Sequence, residues 1–439
     1  MNEKPNIIMM TCHDLGQHLG CYGLDTVRSD AIDGLADEGC RVANYFATSP
    51  TCSPSRGCML TGRYPQTNGL LGLTHGPWWW RLNPGERHLA AILADSGYET
   101  TLIGFQHVTR GGGGPATLGY GTYMPGGDYA EDKAAAAESY LKERDANEGP
   151  LFLKIGFEEV HRPFDKAQVE PDRSRGVTVP GYLKDTEVMR DDLAWFQGII
   201  RYMDRAVGRV LDALEEAGMA GNSIVIFTSD HGIPYIGAKW TLFDPGVSIP
   251  LIVRWPAGGV TGGRVVSQMI SNVDFVPTLL DLAGLPVPDN LQGHSGALLL
   301  TGESEEPIRE AVFAEHQAHA LRDNTSRCIR TERYKLIRNF DPGRTILKPI
   351  DVTPQAVADH VERPRRNGTR PFGQLFDLQQ DPWEEHDLSG DPEHAEIFRE
   401  LSDALWRWME EVEDPILHGP IRTPYYERAM EDYARYRSE

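Results

Sequence analysis

Segments typical of buried strands alternate with segments typical of helices through the first half of this 439-residue chain. Short apolar runs predict strands at 6–12, 98–103, 151–157 and 223–228, and apolar residues at helical spacing predict helices at 31–38 and 191–217. Such alternation favours a parallel sheet with helices on both faces. Sheets of this kind bind their ligands at the carboxyl ends of the strands.

The pattern changes after the proline-rich link at 285–289. Shorter strands with tight turns are predicted at 311–315, 327–330 and 334–337, and a helix is predicted over 393–411. We therefore predict an α/β fold, in which a large, mostly parallel central sheet flanked by helices precedes a smaller C-terminal α+β domain with an antiparallel sheet. The predicted bounds are 1–305 for the large domain, 306–414 for the small domain and 415–439 for a tail without a clear core pattern.

Polar side chains follow four of the predicted strands, at the point where each strand ends. These residues are His13 and Asp14, His107, His161, and Asp230 and His231. Because the carboxyl ends of parallel strands meet at one edge of a sheet, we expect these side chains to lie together.

A helix is predicted to begin near Cys52. Pro54 suits a first helical turn because it has no amide hydrogen to leave unpaired, and residues 51–53 supply cap-like side chains. Arg56 lies four residues after Cys52 and would share its face of the helix. The helix amides and the guanidinium favour an oxyanion of sulfur or phosphorus beside a nucleophile. The alternative interpretation of this cysteine is a buried, inert thiol.

Composition excludes several classes of partner. The net charge of −21 argues against nucleic acid and anionic membranes, and no stretch reaches the roughly 18 apolar residues of a membrane helix. The N-terminal residues lack a secretory pattern, which predicts a cytoplasmic protein, and the six cysteines form no disulfide framework. Residues 321–370 carry twelve Arg or Lys against six Asp or Glu. They are expected either to line the path of an anionic substrate or to form a solvated face balanced by acids.

Residues 52–63 read Cys-Ser-Pro-Ser-Arg-Gly-Cys-Met-Leu-Thr-Gly-Arg and resemble the modification motif of the sulfatase family. In that family a maturation enzyme oxidises the cysteine to formylglycine, an aldehyde. The resemblance covers nearly the whole chain and implies the alkaline phosphatase-like fold of sulfatases.

Further positions match the site of that family. They are Asp14 for an acid after the first strand, His107 and His161 for two histidines, Asp230 and His231 for a Ser-Asp-Asn/His-Gly turn, and Lys239 for a later lysine. Two positions depart from the pattern. His13 stands where an acid is usual, and Phe105 or Gln106 stands where a sulfate-binding lysine is expected. Of these two, Gln106 could replace the lysine only with a neutral donor.

The resemblance implies one divalent metal ion, held by Asp14, Asp230, His231 and the formylglycine made from Cys52. Ca²⁺ is the expected ion, and Mn²⁺ is the alternative because imidazole ligands suit it as well. His13 is either a further ligand or a hydrogen-bonding group behind the ligands.

The resemblance also implies the catalytic roles. The hydrated formylglycine at 52 attacks sulfur, while Arg56 and Lys239 hold the sulfate oxygens. His161 or Lys239 protonates the leaving atom. His107 then accepts the proton whose loss expels sulfate and restores the aldehyde.

Softer matches at 66–69, 72–75, 156–162, 315–319 and 333–340 resemble the N-sulfoglucosamine sulfohydrolase branch, which acts on sulfamate sugars. The expected substrate-binding residues are His75, His316 and His319, together with the tryptophans at 78–80 and the basic residues at 363–366. A sugar can stack on the tryptophans, although such a run also serves packing.

Three functions follow from these observations. The first is a sulfatase acting on a small sulfated or N-sulfated sugar, and the second is a phosphonate monoester or phosphodiester hydrolase. The third is a non-catalytic anion-binding protein in which Cys52 stays a thiol. If the chain forms a homo-oligomer, the tail at 415–439 is placed to reach a neighbouring subunit.

Overall fold

The computed structural model describes residues 4–110, 114–144, 148–319, 322–341 and 370–438. Within these ranges the chain forms a larger and a smaller sheet. The strands of the larger sheet are β1 (Asn6–Cys12), β2 (Cys40–Phe46), β3 (Glu99–Gly104), β4 (Thr122–Met124), β5 (Leu151–Gly156), β6 (Ser223–Ser229), β7 (Leu251–Arg254) and β8 (Arg264–Ser271). Those of the smaller sheet are β9 (Ala311–His319), β10 (Arg322–Thr331), β11 (Tyr334–Asn339) and β12 (Gly373–Asp377).

Helices cover both faces of the larger sheet and one face of the smaller one. They are α1 (Asp30–Glu38), α2 (Cys52–Thr61), α3 (Pro65–Asn68), α4 (Leu89–Asp95), α5 (Ala130–Glu143), α6 (Glu187–Glu216), α7 (Asp244–Val247), α8 (Phe275–Leu282), α9 (Ala297–Thr301), α10 (Ala395–Glu411) and α11 (Pro424–Ser438). None of the helices in the described ranges is both long and apolar enough to cross a bilayer.

The larger sheet has the strand order β4-β3-β5-β1-β6-β7-β2-β8. Every neighbouring pair is parallel except those that involve β7, which runs antiparallel to β6 and β2. The smaller sheet, β12-β11-β10-β9, is antiparallel throughout. The predicted fold class is therefore confirmed, while the domain bounds at 305 and 414 stay predictions.

The central strand β1 is apolar because both of its faces are buried. Ile8 and Met10 pack with residues of α1, α5 and α6 on one face, and Ile7 and Met9 pack with residues of α4 and α8 on the other. All four side chains are fully buried. Burial of each contributes roughly 1.5–3 kcal/mol to stability, so the strand that carries His13 and Asp14 at its end is firmly placed.

The smaller sheet packs α10 against one face through Leu405, Trp408 and Met409. Its other face packs against residues that follow β6, where Phe376 of β12 contacts Phe243 edge-on at 5.8 Å between ring centroids. These contacts hold the smaller sheet against the loop that carries Lys239.

Several elements differ from the sequence prediction. Helix α6 begins at Glu187 rather than 191, because the Thr186 hydroxyl accepts a hydrogen bond from the Met189 amide at 3.2 Å. Strands β9 and β10 are longer than predicted. The tail forms the helix α11, whose described side chains from Tyr425 onward are exposed, so the sequence showed no apolar pattern there.

The basic segment at 321–370 is described only at 322–341 and 370. Of these residues, Arg327, Arg330 and Lys335 pair with acids of the protein itself. This agrees with the interpretation in which nearby acids balance the segment. The basic residues at 363–366 lie outside the described residues.

Candidate active site

Four parallel strands of the larger sheet end side by side. Cys12 at the end of β1 pairs with Ser229 of β6, and Gly104 of β3 pairs with Gly156 of β5. The polar residues that follow these strands therefore meet above one edge of the sheet, as the sequence predicted.

Helix α2 delivers Cys52 to this edge. The helix begins at Cys52, but Thr51 makes no capping side-chain bond and instead contacts the Ser49 hydroxyl at 3.0 Å. The start of α2 is held in place by Ser55, whose hydroxyl donates a hydrogen bond to the backbone carbonyl of Asp230. Asn272, which no sequence signal marked, donates to the Ser55 carbonyl at 3.1 Å. The predicted helix start is present, but bonds from distant residues replace the predicted cap.

The Cys52 side chain is buried beside a histidine. Its Sγ lies 3.3 Å from His231 Nε2, and the residue is 3% exposed. Burial raises the pKa of the Cys52 thiol well above its usual value. At neutral pH the unmodified side chain is therefore a thiol and a poor nucleophile.

Asp14 and Asp230 form the acidic centre of the site. Asp14 Oδ2 accepts from Lys239 Nζ at 2.6 Å, and Asp14 Oδ1 lies 3.1 Å from His231 Nε2. The Asp14 amide donates to Asp230 Oδ1 at 3.0 Å. Burial opposes ionisation of Asp14, but Lys239, His161 and His231 outweigh it and hold the pKa of Asp14 below its usual range. Both acids are carboxylates at neutral pH, since His231 and Arg56 likewise lower the pKa of Asp230 against the effect of burial.

Arg56 is turned toward protein groups. Its Nε donates to Asp230 Oδ2 at 3.0 Å, and its Nη2 donates to the Cys12 carbonyl at 2.7 Å. Nη1 is buried and has no hydrogen-bond partner in the described part of the chain. One nitrogen, rather than a two-pronged fork, is thus available for an anion.

The donor atoms around Cys52 fit a divalent metal ion. Ligand atoms of His13, Asp14, Cys52 and Asp230 all lie within 4.8 Å of one another, and all four residues are buried. Neither ring nitrogen of His13 makes a hydrogen bond within the described residues, although Nδ1 lies 3.2 Å from Asp230 Oδ2. Two carboxylates and an unbonded imidazole are a donor set that divalent ions accept. His231 faces the same group through Nε2.

Two further histidines border this cluster. His161 Nε2 lies 3.9 Å from Asp14 Oδ2, its Nδ1 lies 2.7 Å from the Arg162 carbonyl, and its side chain is 38% exposed. The His107 ring lies 6.1 Å from that of His13, and the residue is partly buried, with its Nδ1 atom fully buried. Burial, and then Arg56, lowers the pKa of His107 to about 3. Both imidazoles can exchange protons with groups bound at the cluster.

A family model described as sulfatase matches residues 5–285. The chain belongs to the sulfatase family. As predicted, it is therefore a hydrolase. A second model, described as the C-terminal region of N-sulphoglucosamine sulphohydrolase, matches residues 235–355.

Relatives extend over nearly the whole of this sulfatase. Human N-sulphoglucosamine sulphohydrolase is 27% identical, over 94% of this chain and 92% of the human one. The solved structure of a 2-O GAG sulfatase has a TM-score of 0.75 at 21% identity, covering 96% of this chain and 95% of that one. Phosphonate monoester hydrolase of Agrobacterium radiobacter has a TM-score of 0.71 at 20% identity, covering 94% of this chain and 97% of that one. These structures confirm the predicted fold.

Phe105 is one of the two residues that stand in the sequence where a lysine was expected, and in this sulfatase its ring packs beside His13 and Arg56. The Phe105 ring lies 4.7 Å from the ring of His13, and the Arg56 guanidinium lies 5.6 Å from its centroid. The Gln106 amide closes its own turn instead, since Oε1 accepts from the Thr109 amide at 3.0 Å and Nε2 donates to the Thr109 carbonyl at 2.6 Å. Gln106 is thus engaged with the loop and is not the free neutral donor that the sequence suggested.

Lys154 lies beneath this loop and was missed in the sequence. Its ammonium donates to the Thr11 hydroxyl at 3.2 Å and to the Phe105 carbonyl at 3.3 Å. Burial, and then Arg56, lowers the pKa of Lys154 well below its usual value. The signal that could have revealed it is a lysine within the otherwise apolar strand β5.

The predicted substrate-binding residues are separated in the structure. His75 lies beside His107, whereas His316 is buried on β9, with its Nδ1 2.7 Å from Asn324 Nδ2. His316 lines a cavity of about 30 Å³, which is the size of a water molecule rather than a sugar. The side chain of His319 lies outside the described residues.

A groove of about 1050 Å³ opens beside the loop that carries His75. Trp79, Trp80 and Arg110 line this groove together with Arg422 and Tyr425 of the tail. Trp79 is 50% exposed. An exposed indole next to guanidinium groups can stack on a sugar while the cations face its anionic substituents.

Proposed function

We propose that this sulfatase hydrolyses the sulfuryl group of a small sulfated or N-sulfated sugar through a formylglycine made from Cys52. The observation that carries the proposal is the burial of Cys52 at the start of α2, within ligand distance of Asp14, Asp230 and His13. Because burial keeps the thiol protonated, residue 52 needs oxidation to become an effective nucleophile. A maturation enzyme is the partner that this step requires.

The metal in this proposal is held by Asp14, Asp230, His231 and residue 52, with His13 as a fifth group facing it. Ca²⁺ is the expected ion and Mn²⁺ is the alternative. When bound, the ion lowers the pKa of a hydroxyl on hydrated residue 52 and adds positive charge beside the sulfate.

Residues of the chain itself bind the sulfate and move protons. The unbonded Nη1 of Arg56 and the ammonium of Lys239 lie on the two sides of the acid pair and hold sulfate oxygens. Each well-placed donor lowers the barrier by roughly 3–4 kcal/mol. The side chain of His161 is partly exposed, and its Nε2 lies 3.9 Å from Asp14 Oδ2. His161 protonates the leaving atom. His107, whose ring lies 6.1 Å from that of His13, accepts the proton from residue 52 as sulfate leaves.

The assignment of His161 over Lys239 as the acid follows from their surroundings. Burial opposes protonation of Lys239, but Asp14 at 2.6 Å outweighs it and raises the pKa of Lys239. Lys239 therefore keeps its proton and acts as a fixed charge.

Recognition of the sugar is assigned to the groove beside His75. A sulfamate sugar is favoured as substrate by the match to the C-terminal region of N-sulphoglucosamine sulphohydrolase and by the likeness to the human enzyme of that name. Within this proposal the protein acts in the cytoplasm, and it self-associates through the exposed helix α11.

The mass of the tryptic peptide Val42–Arg56, from protein purified from its native host, tests the nucleophile. We expect an aldehyde or its hydrate at residue 52. A Cys52→Ala variant made in the same host should hydrolyse neither a sulfate ester nor a sulfamate. An unmodified thiol in an inactive protein would instead favour the non-catalytic anion-binding function.

Rates on a sugar sulfate ester, a sugar sulfamate and a phosphonate monoester test the substrate class. We expect the highest kcat/KM on the sulfamate. Faster turnover of the phosphonate would overturn this proposal and favour the function of a phosphonate monoester hydrolase, an enzyme whose fold this chain shares.

A further inference from the structure

The ring of His107 is held by a second imidazole. His75 Nδ1 and His107 Nε2 lie 3.0 Å apart. The two ring planes differ by 18°, with 5.1 Å between centroids, so the nitrogens face each other nearly in the plane of both rings. This geometry is that of a hydrogen bond between two histidines.

The loop around His75 fixes the position of this ring. The Thr74 amide donates to the hydroxyl of Ser53, the neighbour of Cys52, at 3.4 Å. The Trp78 amide donates to the His75 carbonyl at 3.0 Å, and the Trp78 ring meets the His75 ring edge-on at 4.8 Å. His75 is thus tied to the start of α2.

The backbone of His107 is equally constrained. Its φ is +59°, in the left-handed region, and the Gln106 side chain closes the turn around it. A left-handed residue of this kind needs support from its surroundings. The backbone at His107 therefore has little freedom to move away from His75.

A neutral imidazole carries one N–H and one lone pair, so the bond to His75 decides what the other nitrogen of His107 can do. If His107 donates from Nε2, its Nδ1 carries the lone pair. Nδ1 is buried without a hydrogen-bond partner in the described part of the chain. Among the charged groups around His107, Arg56 lowers its pKa more than Asp230 raises it, so the surroundings favour a neutral ring over an imidazolium.

His75 can accept this bond because its own proton has another place. His75 is only partly buried, and among the described residues Nδ1 of His107, but not Nε2 of His75, is a buried nitrogen without a hydrogen-bond partner. The Nε2–H of His75 can therefore reach water. Burial lowers the pKa of His75, and the charge of Arg110 lowers it further, so the ring stays neutral.

We propose that His75 is a positioning residue that accepts the Nε2–H of His107 and leaves His107 Nδ1 as the proton acceptor in the site. This inference rests on the proposed role of His107. It replaces the sequence interpretation of His75 as a substrate-binding residue. The proton from residue 52 goes to His107 Nδ1, giving an imidazolium whose Nε2–H remains bonded to His75 Nδ1, and it leaves to water after sulfate departs.

Kinetics of two His75 variants separate positioning from substrate contact. We expect His75→Ala to lower kcat by about 100-fold, the scale of a misplaced general base, with KM on a small sulfate ester changed less than about twofold. His75→Asn should recover about tenfold of that loss, because its amide oxygen can accept near the position of Nδ1. The matched control is His386→Asn, at a side chain that is 82% exposed, which should leave both constants unchanged. A raised KM with unchanged kcat, or equal losses in both His75 variants, would overturn the proposal.

A second measurement does not depend on activity. Nitrogen-15 spectra of histidine-labelled protein report which ring nitrogen carries the proton, and a His107→Gln variant identifies the signals. In protein with unmodified Cys52 we expect His107 protonated at Nε2, with that preference lost in His75→Ala. A proton on Nδ1 of His107 in the unmutated chain would refute the role of His75. Failure of the proposed function would leave this spectrum unchanged.

Discussion

At the scale of single residues, burial decides which side chains around α2 are charged. It keeps Cys52 a thiol, whereas Asp14 stays ionised because Lys239 and two histidines surround it. Within the described ranges, Glu315 on β9 pairs with a single basic residue, Arg327 at 3.8 Å, and is 1% exposed. Its ionisation is therefore coupled to folding.

Burial raises the pKa of Glu315 from 4.5 to about 7, against the effect of Arg327. The folded state then binds the proton more tightly than the unfolded state, so the free energy of unfolding falls as pH rises from about 4.5 to about 7. The full difference is about 3 kcal/mol. We expect Glu315→Gln to remove this contribution, as measured by urea unfolding at pH 4.5 to 8. If the free energy of unfolding changes with pH in the same way in both proteins, the prediction is wrong.

The metal cluster gives a second prediction at this scale. A ligand that binds only the folded state raises Tm, so EDTA should lower the Tm of the loaded protein, and added Ca²⁺ or Mn²⁺ should restore it. His13→Ala should weaken the response to Mn²⁺ more than that to Ca²⁺, because imidazole suits Mn²⁺ better. Scanning fluorimetry with metal titration measures both responses, and His386→Ala serves as control. Identical responses of His13→Ala and the unmutated protein would exclude His13 as a ligand.

At the scale of elements, one buried ion pair joins β10 to the turn after α10. Arg327 and Asp414 are both fully buried, and Arg327 Nη2 donates to Asp414 Oδ1 at 2.9 Å. Asp414 also accepts from Gln66 of α3 at 3.3 Å and from the Ile416 amide at 3.2 Å. A single carboxylate therefore connects the small sheet, the start of the tail and the region after α2.

Removing that carboxylate leaves the Arg327 charge buried with its strongest partner lost. We expect Asp414→Ala to lower the free energy of unfolding by about 3–5 kcal/mol, measured by urea denaturation. Asp432→Ala, which breaks a pair with Arg435 whose side chains are 77% and 76% exposed, should change it by less than about 0.5 kcal/mol. Similar losses in both variants would show that the buried ion pair stabilises the protein no more than the exposed one does.

At the scale of the whole molecule, α11 stands apart from both cores. Its tyrosines at 425, 426, 433 and 436 are 59%, 48%, 53% and 74% exposed. Tyrosine is typical of protein interfaces because it offers a large apolar surface and a hydroxyl. This exposure supports the proposed self-association through the helix.

A chain that ends at Thr423 tests this role. The deleted helix buries little within its own chain, so we expect Tm to stay within about 2 °C at concentrations where the protein is monomeric. Sedimentation velocity should show an oligomer for the full chain and a monomer for the truncated one. Equal sedimentation of the two chains would remove α11 from any interface, and a large loss of Tm would show that it packs on its own subunit.

The sequence by itself determined the alternating fold, the place of the polar residues at the ends of β1, β3, β5 and β6, and the family. The spacing of apolar residues along the chain shows which face of a helix or strand is buried, so these elements can be predicted from the sequence. The motif around Cys52 could be recognised because its residues are contiguous.

Only the tertiary structure decided which partners the polar side chains take. Arg56 spends two of its donors on the protein, one of them on Asp230, 174 residues away. His75 faces His107 rather than the groove, and Gln106 closes its own turn. Hydrogen bonds are short and directional, so their partners depend on which distant segments packing brings within about 3 Å, and no periodic pattern in the sequence records that distance.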